Sequence, residues 1–159
     1  MKYYDISLPL KTGMVVWAGD TKFFRKESRG TAIVSRITMS SHTGTHIDAP
    51  KHFIFKAGTV DEIAIPKLIG KCRIIEIRPL PLAVPSPGPG RGRERSEPKN
   101  QIKLSDIKRF NIKAGEKILF KTRNGELAPK KKFEKNYVSL SLPAARYLAK
   151  QKIDLVGID

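Results

Sequence analysis

All three histidines of this 159-residue chain fall within eleven residues, His42-Thr43-Gly44-Thr45-His46-Ile47-Asp48-Ala49-Pro50-Lys51-His52. Gly44 and the Asp48-Ala49-Pro50 step disfavour a continuous helix there, because glycine costs backbone entropy and proline biases its predecessor toward extended geometry. A strand followed by a tight turn is the expected carrier. The stretch just before supplies the strand: Thr31 to Met39 is rich in β-branched and apolar residues, among them Ile33, Val34, Ile37 and Thr38. The histidines begin where that strand ends.

The same reasoning places the other elements. Tyr3 to Leu8 reads as a strand, followed by a loop marked by Pro9, Gly13, Gly19 and Asp20 that contains the apolar run Met14-Val15-Val16-Trp17. Val60 to Ile69 is predicted to be a short helical or irregular link, and Lys71 to Ile77 a strand. Pro79 to Pro98 is too rich in Pro, Gly and Arg to supply a core and is expected to be a loop. Beyond it come a helix over Asp106 to Phe110 capped by Ser105, a strand over Lys117 to Lys121 ending near an Asn124-Gly125 turn, a helix capped by Ser141 with Pro143 in its first turn, and a last strand over Leu155 to Ile158. No regular βαβ alternation is present, so the predicted class is α/β around a mixed sheet. One domain spanning 1–159 is expected, because a chain of this length buries roughly 70% of its unfolded surface in a single core.

Hydrophobic residues make up 40% of the chain, enough to fill such a core. No apolar run reaches the roughly 18 to 20 residues that cross a bilayer, and the opening Met1-Lys2-Tyr3-Tyr4-Asp5 lacks signal-peptide character. A single cysteine, Cys72, excludes an internal disulfide. These features predict a cytoplasmic protein without membrane contact, and the apolar setting of Cys72 predicts a buried thiol. Charge is less usual: 31 Lys and Arg against 15 Asp and Glu give a formal +16. The bases are scattered, and no aromatic residues interleave with them as in surfaces that stack nucleobases. A solvated basic surface is therefore preferred to steering of anionic substrates, and nucleic-acid binding ranks last.

The chemistry of the cluster points to a metal. Imidazole and carboxylate suit borderline divalent ions such as Zn or Mn, and three protein ligands leave a coordination position for water. An ion lowers the pKa of such a water toward about 7. A lone His-x-x-x-His pair is ordinary surface or core composition, but Asp48 and His52 beside the pair favour a metal centre. His42, His46 and Asp48 are the candidate ligands, with expected distances of roughly 2.0 to 2.3 Å. His52 is the candidate general acid/base, since a fourth ligand could close the site to water. Thr43 and Thr45 are candidate hydroxyls for orienting the imidazoles.

At these residues the chain resembles the cyclase-like metal-dependent hydrolases, a family that includes bacterial kynurenine formamidases and isatin hydrolases and carries the signature H-x-G-T-H-x-D-A-P-x-H-F. His42 to Phe53 match it throughout. Tyr4-Asp5-Ile6-Ser7, Trp17-Ala18-Gly19-Asp20 and Leu155-Val156-Gly157-Ile158-Asp159 resemble the family's opening strand, a loop ending in Gly-Asp, and a late strand. The resemblance implies a swivelling β/β/α fold, Zn or Mn held at His42, His46 and Asp48, His52 in the acid/base position, and hydrolysis of a C–N amide bond in a formamide or cyclic amide. It also places Trp17 at a substrate-lining position, although a core role fits a lone tryptophan equally well.

Family members continue past the Gly-Ile-Asp strand into a segment with a further His and Glu, whereas this sequence stops at Asp159. The expectation is thus a C-terminally truncated member with a mononuclear site, acting on a small-molecule substrate and pairing as a homodimer or higher homo-oligomer. Two alternatives stand beside it: a catalytically inactive family member kept for a structural or regulatory role, and a basic nucleic-acid-binding module.

Overall fold

The computed structural model describes residues 2–77, 100–130 and 132–159, and the loop expected over 79–98 lies outside them. The described chain falls into two compact units, one made of Met1–Ala64 and Glu126–Lys135, the other of Ile65–Gly125 and Asn136–Asp159.

In the first unit, β1 (Phe24–Arg29) and β2 (Ile33–Thr38) form an antiparallel hairpin in which Phe24 pairs with Thr38 and Arg29 with Ile33. β2 falls within the stretch expected from its β-branched residues. β1 was not legible, because Arg25, Lys26, Glu27 and Arg29 give it no apolar alternation. Every residue of the hairpin is exposed. A short 3₁₀ turn covers Pro50–His52 and another covers Val60–Glu62, the latter entered through Thr59, whose N–H donates to Glu62 Oε2.

The strand expected over Tyr3 to Leu8 is not formed. Its N–H groups go to side chains instead of a ladder: Ser7 N–H donates to Asp5 Oδ1 at 2.9 Å and Leu8 N–H to Thr45 Oγ1 at 2.9 Å. An Asp two residues before a Ser offers the backbone a local turn that competes with strand pairing.

The second unit is built on a parallel sheet of β3 (Arg73–Glu76), β5 (Lys117–Lys121) and β7 (Leu155–Ile158), with β5 central. Alternation along β5 buries Ile118 and Phe120, and Ile75 of β3 faces the same core. The same alternation corrects the reading of Cys72. It shares the parity of Ile74 and Glu76, which point away from the core, and it is exposed. At Gly157 a Cβ would stand 2.6 Å from Leu119 Cδ2, so a side chain there would oblige Leu119 to move.

A second parallel pair, β4 (Gln101–Ile102) with β6 (Ser139–Leu140), was too short to show in the sequence. Among the described residues, α1 (Ile65–Leu68) precedes β3, α2 (Leu104–Lys108) runs between β4 and β5, and α3 (Leu142–Lys150) between β6 and β7. Helix α3 starts as expected, with Ser141 Oγ accepting from Ala144 N–H at 3.4 Å. Its Ala144 and Leu148, one turn apart, are buried. Helix α2 begins earlier than expected, since Lys103 and not Ser105 occupies the cap and its N–H donates to Asp106 Oδ2 at 2.8 Å. An acidic residue in the first turn serves that N–H better than a hydroxyl inside the helix. Ile102, Ile107 and Ile112 complete the core with the residues above and Val138.

The unit is of α/β class, and side-chain hydrogen bonds from Asn124 and Asp159 tie two of its joints. Asn124 mimics a backbone edge, donating from Nδ2 to Val138 O at 2.8 Å and accepting from Val138 N–H at 2.7 Å. Asp159 gathers Thr122 N–H, the Thr122 hydroxyl at 2.7 Å and Gly125 N–H at 3.2 Å. The Asn124-Gly125 turn is thereby held at the end of β7, within a 3₁₀ turn over Arg123–Glu126.

Candidate metal centre

The histidine segment leaves β2 through a turn in which Thr43 N–H donates to Ser40 O at 3.1 Å. Ser40 organises that exit twice. Its Oγ accepts from His42 N–H at 3.2 Å and donates to Asp20 Oδ2 at 3.0 Å, so a carboxylate from the preceding loop fixes the hydroxyl that fixes His42. Gly44 then takes φ +67°, a left-handed conformation that ordinary residues avoid, and a Cβ there would stand 2.9 Å from Leu10 Cδ2. The backbone conformation calls for glycine, and a side chain there would displace Leu10.

The turn brings three side chains to one point. His42 Nδ1 lies 3.2 Å from His46 Nε2 and 3.1 Å from Asp48 Oδ1, and His46 Nε2 lies 3.5 Å from the same oxygen. His46 is oriented by its other nitrogen, since Nδ1 donates to Gly44 O at 2.8 Å. A carbonyl only accepts, so the proton of a neutral His46 sits on Nδ1 and the lone pair of Nε2 faces the cluster. Nitrogen and oxygen lone pairs converging in this way repel one another unless a proton or a cation lies between them. Ligands held at about 2.1 Å on a tetrahedral ion stand about 3.4 Å apart, which is the spacing found here. The donor set and its geometry therefore fit a divalent ion. The three side chains are 29%, 33% and 48% exposed, which leaves the cluster open to solvent and to a small ligand.

His52 is not one of the three residues whose donor atoms converge. It rides on the 3₁₀ turn started by Pro50, where His52 N–H donates to Ala49 O at 2.9 Å, and its ring centroid is 4.3 Å from that of His42. The Phe53 ring centroid lies 4.2 Å from that of His52. Trp17 lies in the same unit, half-exposed, with its ring tilted against Phe133 at 4.6 Å between centroids.

The two threonines do not orient the imidazoles. Thr45 Oγ1 receives Leu8 N–H, and Thr43 Oγ1 is buried without a hydrogen-bond partner. The orienting groups are instead the Gly44 carbonyl and the Asp20–Ser40 pair. Backbone acceptors leave no mark in a sequence, but a Ser two residues before a candidate His ligand is a turn signal that could have been read.

Known proteins resemble the chain over nearly its whole length. The family model described as "Putative cyclase" matches residues 4–159. The kynurenine formamidase of Bacillus cytotoxicus is 30% identical over 163 residues, and that of Bacillus anthracis 31% identical over 163 residues. Each alignment covers 99% of this chain and 68% of the relative. Among solved structures, a "potential metal-dependent hydrolase with cyclase activity" superposes with a TM-score of 0.74 at 31% identity, covering 98% of this chain and 66% of its own. The "predicted metal-dependent hydrolase from Bacillus stearothermophilus" gives 0.72 at 31% identity, with 98% and 67% covered. The chain thus spans about two thirds of the length of these relatives.

Proposed function

This chain belongs to the cyclase family, and on that premise we propose that it is a metal-dependent hydrolase of C–N amide bonds, of the kind found in formamides and cyclic amides. The observation that carries the reading is the triangle of donor atoms from His42, His46 and Asp48, 3.1 to 3.5 Å on a side. These residues hold one Zn or Mn ion, to which both imidazole and carboxylate are suited. When bound, the ion supplies Lewis acidity to the carbonyl and a water acidified toward about neutral pH.

The side chains do the rest. The Gly44 carbonyl keeps the His46 proton on Nδ1 and so keeps Nε2 available as a ligand. The Asp20–Ser40 pair fixes the backbone of His42. His52, beside the ring of His42, takes a proton as water adds to the amide carbon and returns one to the departing nitrogen when the C–N bond breaks. The products are a carboxylate and an amine. Trp17 contributes an exposed aromatic wall in the same unit. The partners in this reading are the small-molecule substrate and a second copy of the chain. No described helix is long and apolar enough to cross a membrane.

The test is a formamide and cyclic-amide hydrolysis screen on Zn- and Mn-loaded protein, with His52→Ala beside it. The expected result is turnover that falls on the order of 10²-fold or more in kcat in the variant while ion content is retained. An equal rate in His52→Ala contradicts the acid/base assignment, and loss of the ion in that variant makes His52 a ligand.

A further inference from the structure

The two faces of the β1–β2 hairpin differ in how their charges are met. Side chains alternate along each strand, so Arg25 and Glu27 share one face, and Phe24 and Lys26 share the other with their cross-strand partners Thr38 and Arg36. On the first face Arg25 Nη2 lies 3.0 Å from Glu27 Oε1, which occupies the hairpin's one carboxylate. On the second, Lys26 stands directly opposite Arg36. Among the described residues, neither of these two cations has an ion-pair partner. Like charges facing each other across a ladder, with Cβ atoms about 5 Å apart, destabilise it. The hairpin has no buried residue to offset that repulsion. An anion from outside the hairpin would relieve it.

The ring of Phe24 stands beside this pair. Phe23, just before the strand, is buried, whereas Phe24 is 51% exposed. Strand geometry sets Phe24 and Lys26 about 7 Å apart on their face. An open aromatic ring next to paired cations is the combination that holds single-stranded nucleic acid, with a base stacked on the ring and phosphates on the cations. No stretch of the sequence interleaves aromatic and basic residues at length, but the register assembles from two strands what neither carries alone. A second copy of the chain, at a formal +16, would not supply the anion, whereas a polyphosphate is drawn to it.

We propose that this face of the hairpin binds single-stranded RNA, with Lys26 and Arg36 taking phosphates and Phe24 stacking on a base. Thr38, the cross-strand partner of Phe24, is exposed and presents a hydroxyl beside the ring. That group suits the ribose 2′-OH by which a protein tells RNA from DNA. Stacking tolerates any base, since each has a π-face, so the binding is independent of base sequence. It also requires no ion at the histidine cluster.

Fluorescence anisotropy of the whole chain with an oligouridylate of about 12 nucleotides tests this, beside an abasic strand with as many phosphates, oligothymidylate and polyglutamate. Affinity for oligouridylate is expected to fall about fivefold in Lys26→Ser or Arg36→Ser and about twentyfold in the pair. Removing two exposed cations from the other unit, Lys108→Ser with Lys150→Ser, is expected to cost about twofold at most. Equal losses in the two double variants would assign binding to the general positive field of the chain and overturn the site. Phe24→Ser is expected to weaken oligouridylate about tenfold and to leave the abasic strand unchanged, with Phe24→Tyr restoring the loss. A variant that loses both strands alike overturns the stacking role. Lys26→Glu separates binding from folding, because it sets opposite charges across the ladder. That chain should unfold no earlier than the parent and bind oligouridylate least of all, and parental affinity in it overturns the proposal. Polyglutamate that binds as tightly as oligouridylate would give the face to an acidic polypeptide instead. Oligothymidylate that binds equally well overturns the choice of RNA.

Discussion

The two units of this chain are organised by different forces. The second closes, among the described residues, around nine buried apolar ones from Ile75 to Leu148, with buried Asn124 bonded twice to Val138. In the first, Phe23 is the one buried apolar residue among those described, and the hairpin is exposed along its whole length. An isolated two-stranded hairpin is marginal in water. The first unit is defined instead by turns and by side chains bonded to backbone: Ser40 to His42, Thr45 to Leu8, Gly44 to His46. Stability resides where apolar area is buried, whereas the candidate chemistry resides where polar groups are left open to a ligand. Elements with few buried contacts are also those that open most readily.

The largest effect should come from hollowing the closed unit. Phe120 on the central strand is fully buried, so Phe120→Ala is expected to cost about 3 to 5 kcal/mol in chemical unfolding, through lost burial and the cavity left behind. A loss below about 1 kcal/mol would show that this core does not carry the stability assigned to it here.

The matching change in the open unit is smaller. Phe53 and Phe55 are 84% and 88% exposed, so replacing both with Ser should alter the stability of a single chain by no more than about 0.5 kcal/mol. Exposed aromatic residues of this size mark contact surfaces. If the second copy proposed above covers these two rings, sedimentation at micromolar concentration should show the parent as a dimer and the double variant shifted toward monomer. A parent that sediments as a monomer contradicts the pairing.

The smallest effect concerns pH. The Thr59 hydroxyl, and then the backbone N–H of Asp61 itself, hold the Asp61 carboxyl below its ordinary value. A depressed carboxyl contributes stability that is present above the unfolded value near 3.8 and lost as pH falls through the lower folded value. Titration of this carboxyl followed by NMR should give a midpoint below 3.8 that moves up toward it in Thr59→Ala. An unchanged midpoint would remove Thr59 as the cause.

How much of this was legible in the sequence follows the same division. In the closed unit, the strands around Ile75, Ile118 and Val156 and the helix after Ser141 could be read from apolar periodicity and capping. Those signals exist because burial and helix ends act on single residues at fixed spacing. The paired two-residue strands β4 and β6 could not, since their partners lie far apart in the chain and neither is long enough to alternate. In the open unit the signals were weaker or misleading. The charged strand β1 left no apolar pattern, and the strand expected over Tyr3 to Leu8 lost its N–H groups to Asp5 and Thr45. The convergence of His42, His46 and Asp48 was legible because the residue types are rare and closely spaced. The orienting role of Gly44 O was not, because a backbone acceptor leaves no mark in the sequence, and that of Asp20 was not, because it lies twenty residues from Ser40; Ser40 itself carried a readable turn signal.

The central claim is that the open unit is built around an ion. Metal titration of the whole chain, with cobalt as a spectroscopic probe and X-ray absorption on the zinc form, tests it directly. One ion per chain is expected, bound by two imidazole nitrogens and a carboxylate oxygen at about 2.0 to 2.2 Å. Asp48→Ala is expected to weaken binding on the order of 100-fold or more, while the core around Phe120 unfolds as before. An ion that binds equally well to Asp48→Ala, or whose spectrum lacks imidazole ligands, would contradict the claim.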